Sequence, residues 1–158
     1  MFTLVILSFH SQSLIENLVK NTQSNIPIII VENSKNITLK KKLEEEFENV
    51  QVLIPEENLG FSKGMNLGIQ KSKTDFVFLN PADVILDKKC IDDLLKCTKS
   101  FTNFTLLAPT YKDESIYKNY EIYTKKINEL NLPIASEFGI KEVDFIDGTF
   151  IVNKKELE

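Results

Sequence analysis

Apolar positions fall along this chain in two kinds of run. Residues 3–8 (TLVILS) and 26–31 (IPIIIV) are apolar without polar alternation. A strand covered on both faces reads this way, as in the interior of a parallel sheet. Between these runs Leu14, Ile15, Leu18 and Val19 recur at helical spacing behind a Ser13-x-x-Glu16 capping box, which predicts a helix to about Lys20. Pro27 stands at the start of the second strand, where a missing N–H does least harm. Thr38 is expected to open a second helix, with Leu39, Leu43 and Phe47 on one face. Residues 50–54 read as a third strand and 76–79 (FVFL) as a fourth, ended by the turn-forming pair Asn80-Pro81. Between them lies a helical stretch, 58–70, with Gly60, Gly64 and Gly68 four apart and so on one face. Glycine inside a helix costs roughly 0.5–1 kcal/mol against alanine, so the stripe predicts close approach of a backbone or a flat ligand. Strand and helix alternate three times before the fourth strand. That order predicts an α/β fold: a mostly parallel sheet, right-handed crossovers and helices on both faces.

The remainder is less regular. Ile91, Leu94 and Leu95, with Cys90 and Cys97, mark another helix, and 105–108 a strand closed by Pro109. Residues 111–141 are polar, with Tyr117, Tyr120 and Tyr123 at a three-residue spacing that suits one helical face. Two short apolar runs, 143–145 and 149–152, flank Asp147-Gly148, a pair suited to a hairpin turn. No repeat, low-complexity segment or linker interrupts the chain, so residues 1–158 are expected to form one domain.

Composition and charge exclude several classes. A net charge of −4 leaves no electrostatic footprint for nucleic acid or an acidic membrane surface. The glycine stripe does not fit a membrane helix, because Ser62, Lys63, Gln70 and Lys71 interrupt it. The opening run FTLVILSF lacks a basic flank and is too short to span a bilayer, so neither a signal peptide nor a transmembrane segment is expected. Cys90 and Cys97 are seven apart on the predicted helix, about 10 Å at 1.5 Å rise per residue, too far to bridge. They read as reduced core thiols, in keeping with a cytoplasmic protein or one at the inner face of the membrane. Lys40, Lys41 and Lys42 face Glu44, Glu45 and Glu46 in the weaker i,i+4 order, which reads as a solvated face.

The longest chemical signal is the stretch 58–83, NLGFSKGMNLGIQKSKTDFVFLNPAD. It resembles the nucleotide-sugar-binding half of family-2 glycosyltransferases of the GT-A fold, in particular the rhamnosyltransferase-like branch. Members of that branch carry N-x-G-F-x-x-G-x-N-x-G-I before a strand ending in L-N-P-D or L-D-x-D. The resemblance implies transfer of a sugar from a nucleotide-sugar to a hydroxyl of a glycan or lipid-linked acceptor, with inversion. It implies nucleotide-sugar contacts from Asn58, Gly60, Lys63, Asn66 and Asn80, from Ser8-Phe9-His10 where the family has Thr-Tyr-Asn, and from Glu32 and Asn33 of Glu32-Asn33-Ser34, where it has Asp-Asn-Ser. A carboxylate at position 32 suits hydrogen bonds from a base N–H or ribose hydroxyls. Lys63, near a helix N-terminus, suits phosphate charge.

The family's aspartates also hold a divalent cation, Mg²⁺ or Mn²⁺, on the donor diphosphate. Asn80-Pro81-Ala82-Asp83 departs from D-x-D-D: Ala82 cannot ligate, so either the loop shifts by a residue and Asp83 is the ligand, or the site is weakened, or metal is not used. Asp144 or Asp147 is a candidate for touching donor sugar or acceptor, or for a turn, and the 149–152 run is alternatively a strand entering a sugar-binding loop. The family's general base lies in a Glu-Asp pair that Glu156 and Glu158 do not match, so the chain is expected to end before the base and to be inactive alone. Two alternatives stand beside the enzyme: a non-catalytic nucleotide-sugar binding module, and a nucleotidyltransferase, which the lack of a basic glycine-rich loop after the first strand disfavours.

Overall fold

In the computed structural model, residues 1–22, 25–110, 120–121 and 145–157 are described. The elements in chain order are β1 (Phe2–Ser8), α1 (Gln12–Asn21), β2 (Ile28–Glu32), α2 (Ile37–Glu46), β3 (Val50–Leu53), α3 (Gly60–Lys71), β4 (Phe76–Pro81), α4 (Lys88–Ser100), β5 (Leu106–Leu107), β6 (Tyr120–Glu121), β7 (Phe145–Ile146) and β8 (Phe150–Asn153). A short 3₁₀ turn, Lys154–Glu156, follows. Six strands form one sheet in the order β3-β2-β1-β4-β8-β5, with β1 to β4 parallel and β8 antiparallel to both neighbours.

The unbroken apolar runs are explained by cover on both faces. Alternate residues of each central strand point to opposite sides. Phe2, Leu4, Ile6, Ile28, Ile30 and Phe78 join Ile15 and Leu18 of α1, Leu39 and Leu43 of α2 and Ile91 and Leu94 of α4 in one buried cluster. Val5, Ile29, Val31, Val77 and Leu79 form a second cluster with Met65 of α3 on the other side. Helices therefore lie on both faces, three on one and α3 on the other. The edge strand β3 alternates as a half-covered strand should, with Val50 and Val52 buried and Gln51 exposed.

The glycine stripe splits into two functions. Gly64 and Gly68 lie against β1, where a Cβ on Gly64 would overlap Leu7 Cδ1 and one on Gly68 would overlap Val5 Cγ1. Gly60 has φ +67° and open space around its Cβ position, so it serves the turn that starts α3, not a close approach.

Several local expectations are corrected. The Ser13–Glu16 capping box does not form: α1 starts at Gln12, which places Ser13 inside the helix, and Glu16 instead accepts from Gln12 (2.8 Å) and pairs with Lys42 of α2 (2.7 Å). Asn36, not Thr38, caps α2, its side chain accepting from the Leu39 N–H at 2.9 Å. The 40–46 charge run is more than a solvated face. Glu44 accepts from the Val52 N–H at 2.7 Å and Lys40 donates to the Val52 carbonyl at 2.6 Å, so their ion pair covers part of the free edge of β3. Asn80 and Pro81 belong to β4 instead of ending it, and β5 is shorter than the 105–108 run. Asp147-Gly148 joins strands of two different sheets: β7 pairs with β6, while β8 lies between β4 and β5, so no hairpin forms. Tyr120 lies in β6 and not on a helix; Tyr117 and Tyr123 fall outside the described residues. Both cysteines are free thiols, and burial, then the nearby Asp87 and Asp93, push the Cys90 thiol up to about 11.

Candidate functional site

The chain runs from β1 outward through β2 to β3, then crosses back to lay β4 on the other side of β1. That reversal makes a topological switch point between β1 and β4, and the C-terminal ends of the parallel strands there are where open α/β sheets form the crevice that binds ligands. Its rim is built from polar residues in the last positions of otherwise apolar strands. Ser8 is in register with Glu32, and Asn80 with Ile6, so Ser8, Glu32 and Asn80 share one edge of one sheet. Strand alternation puts all three on the face shared with α1, α2 and α4.

The β1–β2 side of this rim is buried and has hydrogen-bonding capacity to spare. Ser8 is fully buried, and its hydroxyl is the one buried side-chain polar atom with no partner among the described residues. Glu32 is 1% exposed. Its Oε1 accepts from the Ser34 N–H at 2.8 Å and from the Ser34 hydroxyl, while no protein donor among the described residues reaches Oε2. The Ser8 hydroxyl is the group left unmet, and a buried polar atom without a partner is costly unless something else bonds to it. Ser34 also holds the next loop, its hydroxyl accepting from the His10 N–H at 3.3 Å. His10 adopts a left-handed conformation, φ 53°, unusual for a residue with a side chain. Its ring lies 4.4 Å from that of Phe9, which is 51% exposed beside the crevice.

Asn33 turns to the opposite face and fastens α3. Its Oδ1 accepts from the Leu59 N–H and its Nδ2 donates to the Gly60 carbonyl, both at 3.3 Å. Asn58 accepts from the Gly60 N–H at 2.9 Å. Asn58 thus takes the first N–H of α3, while Leu59 at the N-cap offers no side-chain cap, so the following N–H groups and the positive end of the dipole remain available. Lys63 and Asn66 are exposed, three apart on this helix.

The β4 side is closed. Asn80 is fully buried, and its amide donates to the carbonyls of Pro81 (2.8 Å) and Val84 (3.0 Å). Its Oδ1 accepts from the Thr149 hydroxyl at 3.0 Å. The side chain expected from the family resemblance to touch the nucleotide-sugar is thus spent within the protein. Ala82 packs against the core, and Asp83 is exposed on the loop beyond. Among the described residues no group of three or more His, Cys, Asp or Glu is placed to hold a metal ion. The paired carboxylates of a two-aspartate site are missing; Asp83 offers one carboxylate. Asp147 is exposed and accepts from the Gly148 N–H at 2.7 Å, which suits its role as a turn residue. Asp144 lies outside the described residues.

Sequence reasoning does not single out Ser34 and Thr149 as site residues. The Glu-x-Ser spacing at a strand end is a signal for the first, since such residues bond their neighbours' backbone. Gly148-Thr149 matches the pair that precedes an apolar strand in the family, but Thr149 lies 69 positions from Asn80, and no local pattern marks the two as partners. A surface concavity beside Thr38, Lys41, Lys42, Glu45 and Glu46 lies on the outer face of α2, away from this edge, and brings together only exposed charges.

The family model for glycosyl transferase family 2 matches residues 11–157, so the chain belongs to that family. Solved structures agree in fold. The mannosyltransferase PcManGT from Pyrobaculum calidifontis, in complex with GDP-Man and Mn2+, superposes with a TM-score of 0.67 at 12% identity, over 99% of this chain and 45% of that one. S. aureus TarS 1-349 gives 0.63 at 15% identity, over 99% and 48%. The inositol-1-phosphate CTP transferase from T. maritima gives 0.57 at 14%, over 98% and 71%. The fold is GT-A, and the chain spans about half the length of the first two structures. No curated protein matches the chain.

Proposed function

We propose that this chain is the donor-binding part of a glycosyltransferase and that the crevice between β1 and β4 takes a nucleoside diphosphate sugar. The observation that carries this is the pairing of Ser8 and Glu32: two buried polar residues, side by side in register, with a Ser8 hydroxyl that has no partner among the described residues and a Glu32 Oε2 that none of their donors reaches. Glu32 would accept hydrogen bonds from a base N–H or ribose hydroxyls, and Ser8 would donate. Phe9 and His10 would wall the nucleoside. The N–H groups of the first turn of α3 beyond Gly60, together with Lys63, would face the diphosphate.

The protein to which this domain belongs would then transfer the sugar to a hydroxyl of a glycan or lipid-linked acceptor by a single inverting displacement, in cell-envelope or other polysaccharide synthesis. A divalent cation, Mg²⁺ or Mn²⁺, would be held by Asp83 with phosphate and water oxygens, a set that such ions tolerate, and would offset leaving-group charge. A non-catalytic nucleotide-sugar binding module is the second reading, favoured by Ala82 and by the engaged amide of Asn80. Sugar transfer by the whole protein separates the two. Nucleotidyl transfer ranks below both, because the matching family model is that of glycosyl transferases. As for cellular location, no helix of the described residues is long and apolar enough to cross a membrane, and we place the protein in the cytoplasm or at the inner membrane face.

Calorimetric titration of UDP, GDP, dTDP and CDP tests the binding site. Glu32→Ala should weaken the preferred nucleotide by roughly tenfold or more, as expected for loss of a hydrogen bond to a charged group. Lys41→Ala, on the outer face of α2, should leave it unchanged. Equal effects would place the nucleotide elsewhere.

A further inference from the structure

Asn80 occupies the place where the family resemblance puts a metal-ligating aspartate, yet its surroundings are built for an amide. Both of its N–H groups point at carbonyl oxygens, those of Pro81 and Val84. An aspartate in the same rotamer would set a carboxylate oxygen 2.8 and 3.0 Å from those two acceptors, with no proton to share. The Pro81 carbonyl also accepts from the Val84 N–H at 3.2 Å, so residues 81–84 form a closed turn. Ala82 packs inward from that turn and Asp83 is exposed. The remaining bond of Asn80, from the buried Thr149 hydroxyl, ties this turn to the chain entering β8, the strand that pairs with β4. The amide therefore fastens two neighbouring segments at the crevice edge with three hydrogen bonds, the one to Thr149 buried and the two to the turn half-buried.

We propose that Asn80 and Thr149 form a clamp that positions the 81–84 turn, and with it the Asp83 carboxylate, and that position 80 itself takes no part in holding a cation. This deepens the nucleotide-sugar reading and rests on it for the role of Asp83; the clamp itself does not. Asn80 and Thr149 are positioning residues.

The test uses the full chain and four variants: Asn80→Asp, Asp83→Asn, Thr149→Val and Thr149→Ser. Two quantities are measured: the thermal midpoint without ligand, and the Kd for the nucleoside diphosphate that the wild type prefers, in Mn²⁺ and in EDTA. Asn80→Asp and Thr149→Val should each lower the midpoint by roughly 5 °C, the scale of unpaired buried polar groups in a chain of this size. Both should also bind nucleotide no more tightly in Mn²⁺ than in EDTA. Thr149→Ser keeps the hydroxyl and should keep the wild-type Mn²⁺ effect. Asp83→Asn should abolish the Mn²⁺ effect without moving the midpoint, which a merely structural role for the turn would not produce. A stronger Mn²⁺ effect in Asn80→Asp would overturn the proposal, since position 80 would then be a metal position. A wild-type affinity that is equal in Mn²⁺ and EDTA would overturn the role given to Asp83. If the wild type binds none of the nucleotides, the functional reading fails and the clamp is decided by a double-mutant cycle of Asn80→Ala and Thr149→Val. Midpoint losses that add would overturn it, and losses that fail to add would support it.

Discussion

On the β1–β2 side of the crevice, Ser8 and Glu32 are buried with hydrogen-bonding capacity left over. On the β4 side, Asn80 is just as buried, but both its N–H groups and its carbonyl oxygen are engaged. All three residues stop an apolar run within the last two positions of a strand, and all three share a sheet face. Burial alone therefore does not separate a group kept for a ligand from one that holds the fold. The separation comes from counting donors and acceptors, because an unmet buried polar group is costly and persists where something else meets it.

That contrast gives a sharp prediction for stability. Asn80→Ala strips the buried Thr149 hydroxyl and the half-buried Val84 carbonyl of their Asn80 bonds and leaves the Pro81 carbonyl with only the Val84 N–H, and should cost about 2–3 kcal/mol in urea unfolding. Ser8→Ala removes a hydroxyl that has no protein partner and should be neutral or slightly stabilising. A loss from Ser8→Ala as large as that from Asn80→Ala would erase the distinction between the two sides.

The helix that supplies the other wall of the crevice tests the same argument through packing. Gly68 meets Val5, a β-branched side chain fully buried in the central strand, whereas Gly64 meets the tip of Leu7, which can rotate. Gly68→Ala should cost about 1–2 kcal/mol despite its gain in helix propensity, because overpacking against a stiff neighbour outweighs that gain. Gly64→Ala should be close to neutral. Unfolding curves in which Gly64→Ala is the more damaging would mean that α3 is seated differently on β1.

A smaller effect is expected away from the crevice, at the outer edge of β3. Burial pushes the Glu44 carboxyl up, but hydrogen bonds from Lys40 and the Val52 N–H outweigh it and hold the pKa below its ordinary 4.5. The folded pKa lies under the unfolded one, so the contribution of Glu44 is present above pH 4.5 and is lost as pH falls below it. The stability gap between the wild type and Glu44→Gln, followed by urea unfolding across that range, should close on acidification. A gap that stays constant with pH would remove the charge from the account of that edge.

The sheet was legible in the sequence because its four parallel strands are covered on both faces and so are written as unbroken apolar runs. The polar residues at their ends were legible for the same reason: Ser8, Glu32 and Asn80 are where those runs stop. What each does was less legible. Glu32 and Asn80 look alike as strand-end polar residues, and only partners brought in by the fold, Ser34 for one and Val84 and Thr149 for the other, tell them apart. Helix starts shifted because several residues near each start can cap: Asn36 outcompeted Thr38, and Ser13 fell inside α1. Gly60, Gly64 and Gly68 share one spacing but not one purpose, since a positive φ leaves no mark on sequence periodicity. The pairing of β8 with β4 depends on residues far apart in the chain, which a turn signal at Asp147-Gly148 does not encode.

The central claim is that a nucleotide enters the open side of the β1–β4 crevice. Amide chemical-shift mapping by NMR during titration of the preferred nucleoside diphosphate tests it most directly. The account predicts that the largest shifts fall on residues 8–11, 32–34 and 58–66, with α2 between residues 40 and 46 silent. Shifts centred on α2, or spread evenly over the chain with residues 8–11 and 32–34 unmoved, would contradict it.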